Sequence, residues 1–178
     1  MTKDTSLTVA IPTYNRPKNL EKIILALKEQ SSSQDFKIII SDDFPGTESG
    51  TQEMVSKYLS DMPNLTYHKN QENLGFSGNV CQLYDMSETR YIWFLCDDDT
   101  INPAAIKKIL ASLKKHEPVV AVYNHTWINP YGVKSMAGPK KDIVYENLDK
   151  ITDYQPFMRT TFLSTLVVEK RKSIDNIR

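Results

Sequence analysis

Tyr91-Ile92-Trp93-Phe94-Leu95-Cys96-Asp97-Asp98-Asp99 is the stretch on which the reading of this chain turns. Its first six residues are the most hydrophobic run in the sequence and predict a buried strand. Tyr91, Trp93 and Phe94 then belong to the core rather than to a base-stacking platform. Three carboxylates follow without a break. Neighbouring carboxylates repel at about 1 kcal/mol per pair in water, and several times that when partly buried. A buried strand delivers three of them to one point only if a cation or hydrogen-bond donors compensate. Hard divalent cations such as Mg²⁺ and Mn²⁺ take oxygen ligands, and Mg²⁺ commonly uses one or two carboxylates plus substrate phosphates. The plainer explanation is capping: Asp99 or Thr100 could cap the helix entered at Pro103. Capping accounts for one aspartate well and for three badly.

Outward from this strand the chain alternates. Short apolar strands are expected over residues 6–12, 36–41, 65–69, 119–127 and 161–168. Helices are expected over 17–30, 51–61, 77–87 and 103–115. The first helix carries Leu20, Ile23, Ile24 and Leu27 on one face, and the second turns Met54, Val55, Tyr58 and Leu59 inward. Asn129-Pro130-Tyr131-Gly132 suits a type I turn, with a hairpin return over 133–136. Residues 137–156 are polar and poorly patterned, and read as loop with at most a short helix. Strand and helix in alternation mean βαβ units with right-handed crossovers. The expected fold is α/β, a mostly parallel central sheet flanked by helices in a Rossmann-like arrangement, as one domain over 1–178.

Composition narrows the function. The chain has 178 residues, with Lys+Arg 22 against Asp+Glu 22 and a formal net charge of zero. Without a basic stripe, duplex nucleic acid is not the expected partner. Two cysteines are not a disulfide framework, and Cys81 and Cys96 read as small buried hydrophobes. His68, His116 and His125 stand apart from one another and read as structural. No apolar run approaches the ~20 residues of a membrane-spanning helix. The expected location is the cytoplasm, with a peripheral place at the inner face of the membrane open to it.

In open α/β sheets ligands bind beyond the carboxyl ends of the strands. The unusual residues gather there: Pro12-Thr13-Tyr14-Asn15-Arg16 after the first strand, Ser41-Asp42-Asp43 after the second, Asn73-Leu74-Gly75-Phe76-Ser77-Gly78-Asn79 after the third, and the aspartate triplet after the fourth. Asp42 and Asp43 can accept from a base N–H or a ribose hydroxyl, or can simply cap a turn. Tyr14 offers a flat face to a base, or packs. Arg16 can pair with a phosphate. Gly75 and Gly78 permit close backbone approach, which a plain turn would equally require.

These motifs, in this order, resemble the inverting family 2 glycosyltransferases of GT-A fold; the match covers residues 6–103 and is looser to about 170. The resemblance implies that Pro12, Tyr14 and Arg16 line a nucleotide pocket, with Tyr14 against the base. Asp43 would bind the base at uracil N3–H, with Asp42 in support. Gly75 and Asn79 would shape the ribose and diphosphate side. Asp97, Asp98 and Asp99 match the family's DxD motif, with Asp98 on the ribose and Asp99 holding Mn²⁺ or Mg²⁺ against the diphosphate. The implied reaction moves a sugar from a nucleotide-diphosphate sugar, UDP-linked by expectation, to a glycan or lipid-linked glycan acceptor in bacterial cell-surface polysaccharide synthesis.

The family's catalytic base, an Asp or Glu, normally follows the strand resembled by residues 161–168. Here only Glu169 and Asp175 follow, and neither sits in a recognisable base motif. The expectation is therefore an N-terminal fragment or truncated member that holds the donor site, lacks much of the acceptor site, binds nucleotide with feeble transfer, and associates through uncovered apolar surface. A non-catalytic nucleotide-sugar binding module of the same fold is the alternative. An aspartate-nucleophile phosphatase would want Thr or Val where Ile101 stands, and its motif on the first strand. A nucleotidyltransferase would want glycines after the first strand, where Thr13-Tyr14-Asn15-Arg16 has none.

Overall fold

The computed structural model describes residues 6–31, 36–47, 50–128, 131–132, 134–137 and 163–170. Its central strand is β1 (Leu7–Thr13), in which all seven residues are buried. Alternation along it serves two faces. Leu7, Val9 and Ile11 pack with α1 (Pro17–Ser31), α2 (Gly50–Leu59) and α4 (Ala105–His116), through Leu20, Ile23, Ile24 and Leu27, Met54 and Val55, and Ile106, Ile109 and Leu113. Ala10 on the other face packs with Ile39, Ile92, Phe94 and Leu83 of α3 (Gly75–Met86). A sheet covered on both sides needs strands without a polar face, which is why β2 (Lys37–Asp42) and β4 (Tyr91–Phe94) read as unbroken apolar runs.

With β3 (Leu65–Lys69), β5 (Val120–Val122) and β8 (Leu166–Glu169), these strands form a six-stranded sheet in the order β3-β2-β1-β4-β8-β5. β1, β2, β3 and β4 are mutually parallel, so Thr13, Asp42 and Lys69 stand level on one edge and Phe94 points its chain toward the same edge. The α/β expectation of a mostly parallel sheet holds.

Four expectations are corrected. The strand expected over 119–127 is two strands: β5 pairs with β8, while β6 (His125–Ile128) pairs with β7 (Lys134–Ala137) in a separate hairpin. The break falls where β8 gives way to a 3-10 turn (Leu163–Thr165), which offers no further ladder beyond the Tyr123 N–H bond to the Thr165 carbonyl. The last strand begins only at Leu166 and runs antiparallel to both neighbours, entering from the carboxyl edge of β4. Leu59, at the last turn of α2, is 41% exposed rather than inward. Cys81 is exposed on α3, because Val80, Leu83 and Tyr84 take the packed side of that helix. The polar segment 137–156 lies outside the described residues save for Ala137, as does Asp175. Among the described residues no helix is long and apolar enough to cross a membrane.

Candidate functional site

The carboxyl edge is organised by β1. The Thr13 carbonyl accepts the Asp43 N–H at 2.9 Å, and the Thr13 hydroxyl donates to Asp97 Oδ2 at 2.6 Å. One residue thus ties the end of β2 to the turn after β4. Pro12 lies buried within β1 behind this junction.

The two aspartates at the end of β2 have different surroundings. Asp42 is fully buried. Its Oδ1 accepts the backbone N–H groups of Asn15 (3.2 Å) and Phe44 (3.3 Å), and its Oδ2 accepts the Tyr67 hydroxyl (3.1 Å). It therefore shapes the loop after β1, in which Asn15 takes φ 49°, a left-handed conformation that asparagine tolerates. Burial, and then the Asp42 charge, push the Tyr67 hydroxyl far above its ordinary pKa, so it remains a donor. Asp43 is 4% exposed, and its Oδ1 accepts Asn70 Nδ2 at 2.7 Å and the Leu74 N–H at 2.9 Å. Its Oδ2 takes no bond from any described residue.

Tyr14 stands half-exposed beside them, its ring edge-on to Phe44 with centroids 5.4 Å apart. Phe44 in turn lies over Gly46, where a Cβ would meet the ring at 2.5 Å, and Lys69 Nζ holds the Gly46 carbonyl at 2.6 Å. Gly75 opens α3 at φ +71°, with its N–H on Asn73 Oδ1. Asn79 is 2% exposed and sits behind Asp43, with Nδ2 on the Ser41 carbonyl (3.0 Å) and Oδ1 accepting from Asn70 (3.3 Å).

The aspartate triplet divides. Asp97 is buried, and both its oxygens are engaged, by the Thr13 hydroxyl and by Arg16 Nη1 at 3.0 Å. Burial raises its pKa; the Thr13 bond and the Arg16 charge act against that rise. Asp98 is exposed, with the same Arg16 nitrogen at 3.4 Å, and Asp99 is exposed beyond it. Carboxylate oxygens of Asp98 and Asp99 and the Cys96 Sγ lie within 4.8 Å of one another. Cys96 is partly buried; its N–H donates to Ser164 Oγ at 2.9 Å, and burial, aided by the aspartates, pushes its thiol pKa up.

Residues 8–165 match the model of the family described as Glycosyl transferase family 2. The chain belongs to that family. It is 30% identical over 127 residues to the GalNAc(5)-diNAcBac-PP-undecaprenol beta-1,3-glucosyltransferase of Campylobacter jejuni, covering 71% of this chain and 40% of that protein. It is 27% identical over 174 residues to the poly(ribitol-phosphate) beta-N-acetylglucosaminyltransferase TarP of Staphylococcus aureus, covering 95% of this chain and 50% of TarP. The crystal structure of S. aureus TarS 1-349 in complex with UDP-GlcNAc superposes with a TM-score of 0.68 at 21% identity, over 93% of this chain and 45% of that one. The chain thus spans about half or less of the length of these relatives, and its fold matches the GT-A glycosyltransferase structures.

Within this family 2 chain, the two exposed carboxylates of Asp98 and Asp99 offer the hard oxygens that suit a divalent cation, whereas the nearby Cys96 thiol is a soft donor and Asp97 is already held from inside. Glu169 lies level with Tyr91 at the amino edge of β4, with Arg90 Nε at 2.8 Å, so it is at the edge of the sheet opposite the site. Sequence reasoning quoted Thr13 without giving it a role and passed over Asn70, Tyr67 and Ser164. No sequence signal marks Asn70; the register Asp42↔Lys69 reveals it, since it makes Asn70 the first residue beyond β3 and level with Asp43.

Proposed function

We propose that this chain carries the donor site of a glycosyltransferase that binds a UDP-linked sugar with Mn²⁺ or Mg²⁺ and passes the sugar to a glycan or lipid-linked glycan acceptor in bacterial surface polysaccharide synthesis. The observation that carries the reading is the double engagement of Thr13, which joins two half-sites on one edge. On one side Asp43 Oδ2 is unbonded beside the exposed Tyr14 ring, the arrangement a uracil needs for its N3–H and its face. On the other, Arg16, Asp98 and Asp99 provide a phosphate partner and cation ligands. A cation held by Asp98 and Asp99, with Cys96 at hand, would neutralise charge growing on the departing nucleoside diphosphate. The UDP-linked donor gains support from TarS, solved with UDP and with UDP-GlcNAc, and the cation from a Pyrobaculum calidifontis mannosyltransferase solved with Mn²⁺, there beside GDP-Man. A UDP-sugar pool places the work in the cytoplasm, against the membrane face where the acceptor is lipid-linked.

A thermal-shift panel of UDP, GDP, CDP and ADP with and without Mn²⁺ tests it. A ligand at a hundredfold excess over its Kd adds about 2.7 kcal/mol, or roughly 5–10 °C for a chain of this size. UDP with Mn²⁺ is expected to give the largest shift, and Asp99→Ala to remove the metal's contribution. Equal shifts from all four nucleotides, or none, would refute the reading.

The position of Glu169 favours a second reading, a nucleotide-sugar binding module without transfer of its own. UDP binding with no UDP released from UDP-sugars in Mn²⁺, with or without glycan acceptors, would select it.

A further inference from the structure

Asn70 is 4% exposed, and both polar atoms of its side chain are engaged, as is its N–H. Its N–H continues the β2–β3 ladder onto the Asp42 carbonyl at 2.9 Å. Its Nδ2 donates to Asp43 Oδ1 at 2.7 Å and to Asn79 Oδ1 at 3.3 Å, and its Oδ1 accepts from Ser41 Oγ at 3.4 Å. Asn79 closes the circuit by donating to the Ser41 carbonyl. The donor directions agree throughout, because the Asp43 carboxylate accepts only and so fixes which way the Asn70 amide faces. A fully satisfied buried network of this kind holds its members in one arrangement.

We infer that Asn70 is a positioning residue that sets base specificity by occupying one oxygen of Asp43. The inference rests on the uridine reading above. With Oδ1 filled by Asn70 and the Leu74 N–H, Asp43 presents a single acceptor, Oδ2, to the base. Uracil offers one N–H, at N3, and matches it. Guanine offers an adjacent pair, N1–H and the 2-amino group, which a carboxylate with two free oxygens would take together. Cytosine presents a lone pair at N3, which the carboxylate repels. Asn70, taking the acceptor site of Oδ1 that the Leu74 N–H leaves, thus turns a group with two possible modes into one with a single mode. A residue that only supported the fold would weaken all nucleotides alike.

The test measures binding of UDP, GDP and N3-methyl-UDP, each with Mn²⁺, to the whole chain and to Asn70→Ala, Asn70→Ser, Asp43→Ala and the Asp43→Ala/Asn70→Ala double variant. Asn70→Ala is expected to lower UDP affinity about tenfold, as loss of one oriented bond to a charged group implies. It should narrow the UDP-to-GDP and UDP-to-N3-methyl-UDP ratios by a similar factor. In the Asp43→Ala background the Asn70 change should matter by less than about twofold, since it acts through that carboxylate. Asn70→Ser, which leaves a small hydroxyl at the position, gives the same readings if the alanine variant does not fold. Parallel losses for all three nucleotides, or an undiminished effect without Asp43, overturn the inference while UDP binding by the unaltered chain stands. An unaltered chain that binds no UDP overturns both.

Discussion

Thr13→Val tests the junction on which the site is built. Valine keeps the shape and the β-branching of threonine in a strand where position 13 is 4% exposed, so packing is preserved and the hydroxyl alone is lost. That hydroxyl makes a 2.6 Å bond to a buried carboxylate. A hydrogen bond to a charged group contributes about 1.5–3 kcal/mol, and 1 kcal/mol moves the melting point of a chain this size by about 2–4 °C. The variant should therefore melt about 3–12 °C lower near neutral pH. The pH dependence carries the sign. Burial has raised the Asp97 pKa above its ordinary value, so the folded state holds that proton more tightly than the unfolded chain does. The group consequently favours the fold most in acid, and its contribution falls as pH rises through the elevated folded-state value. Loss of the Thr13 bond, which lowers that pKa, raises it further. The deficit of Thr13→Val should then be larger near pH 7 than near pH 4, where Asp97 is closer to its neutral form. Differential scanning calorimetry of both proteins across that range measures it. A drop under about 1 °C at neutral pH, or a deficit that widens toward acid, would show that the Thr13–Asp97 bond does not join the two half-sites.

Arg16→Gln frees Asp98 from a competing cation and removes a phosphate partner. Mn²⁺ binding without nucleotide, followed by electron paramagnetic resonance, should tighten about two- to fivefold, as an exposed ion pair allows, while calorimetry should show UDP binding weaken. Exposed Cys81 should react rapidly with a thiol reagent, and partly buried Cys96, its pKa raised by burial and the neighbouring aspartates, slowly; Mn²⁺ should slow Cys96 further and leave Cys81 unchanged, read by mass spectrometry of the two peptides. Mn²⁺ and UDP should each strengthen the other by one common factor, as linkage requires; UDP titrations at zero and saturating Mn²⁺, set against Mn²⁺ titrations at zero and saturating UDP, measure it, and a factor of one refutes it.

Much of the fold was legible because burial writes itself into short apolar runs. Ile38, Ile39 and Ile40, and residues 91–94, could be placed nowhere but in a covered sheet, and Leu20, Ile23, Ile24 and Leu27 repeat at helical spacing. The division of residues 119–127 was not legible, since nothing in Val-Tyr-Asn-His marks a change of sheet; it is imposed by the length of β8, a strand more than 40 residues onward whose partner choice is a long-range matter. The same limit applies at the site. That Asp42, Asp43 and the triplet stand at strand ends follows from local pattern. That Asp42 faces inward to Tyr67 and the Asn15 amide, while Asp43 keeps one oxygen unbonded, depends on partners 25 to 31 positions away. Asn70 is an ordinary residue in sequence and acquires meaning only through the β2–β3 register.

The triplet shows how such division produces chemistry. Three carboxylates need compensation, and the fold supplies it unequally: a buried hydroxyl and one guanidinium serve Asp97, and that same guanidinium, at 3.4 Å, is shared with Asp98. Asp99 has no basic partner among the described residues, so the outer pair faces solvent with most of its charge intact. A diphosphate arriving beside that pair is repelled; one phosphate charge ~6 Å from a carboxylate is opposed by about 1–3 kcal/mol at effective dielectric constants between water and a protein surface. A cation alone, held by two exposed carboxylates, would keep open positions that water must fill. Each partner supplies what the other lacks. On the function proposed above, the excess charge that makes this edge unfavourable to an anion by itself would make it selective for an anion that arrives with its metal.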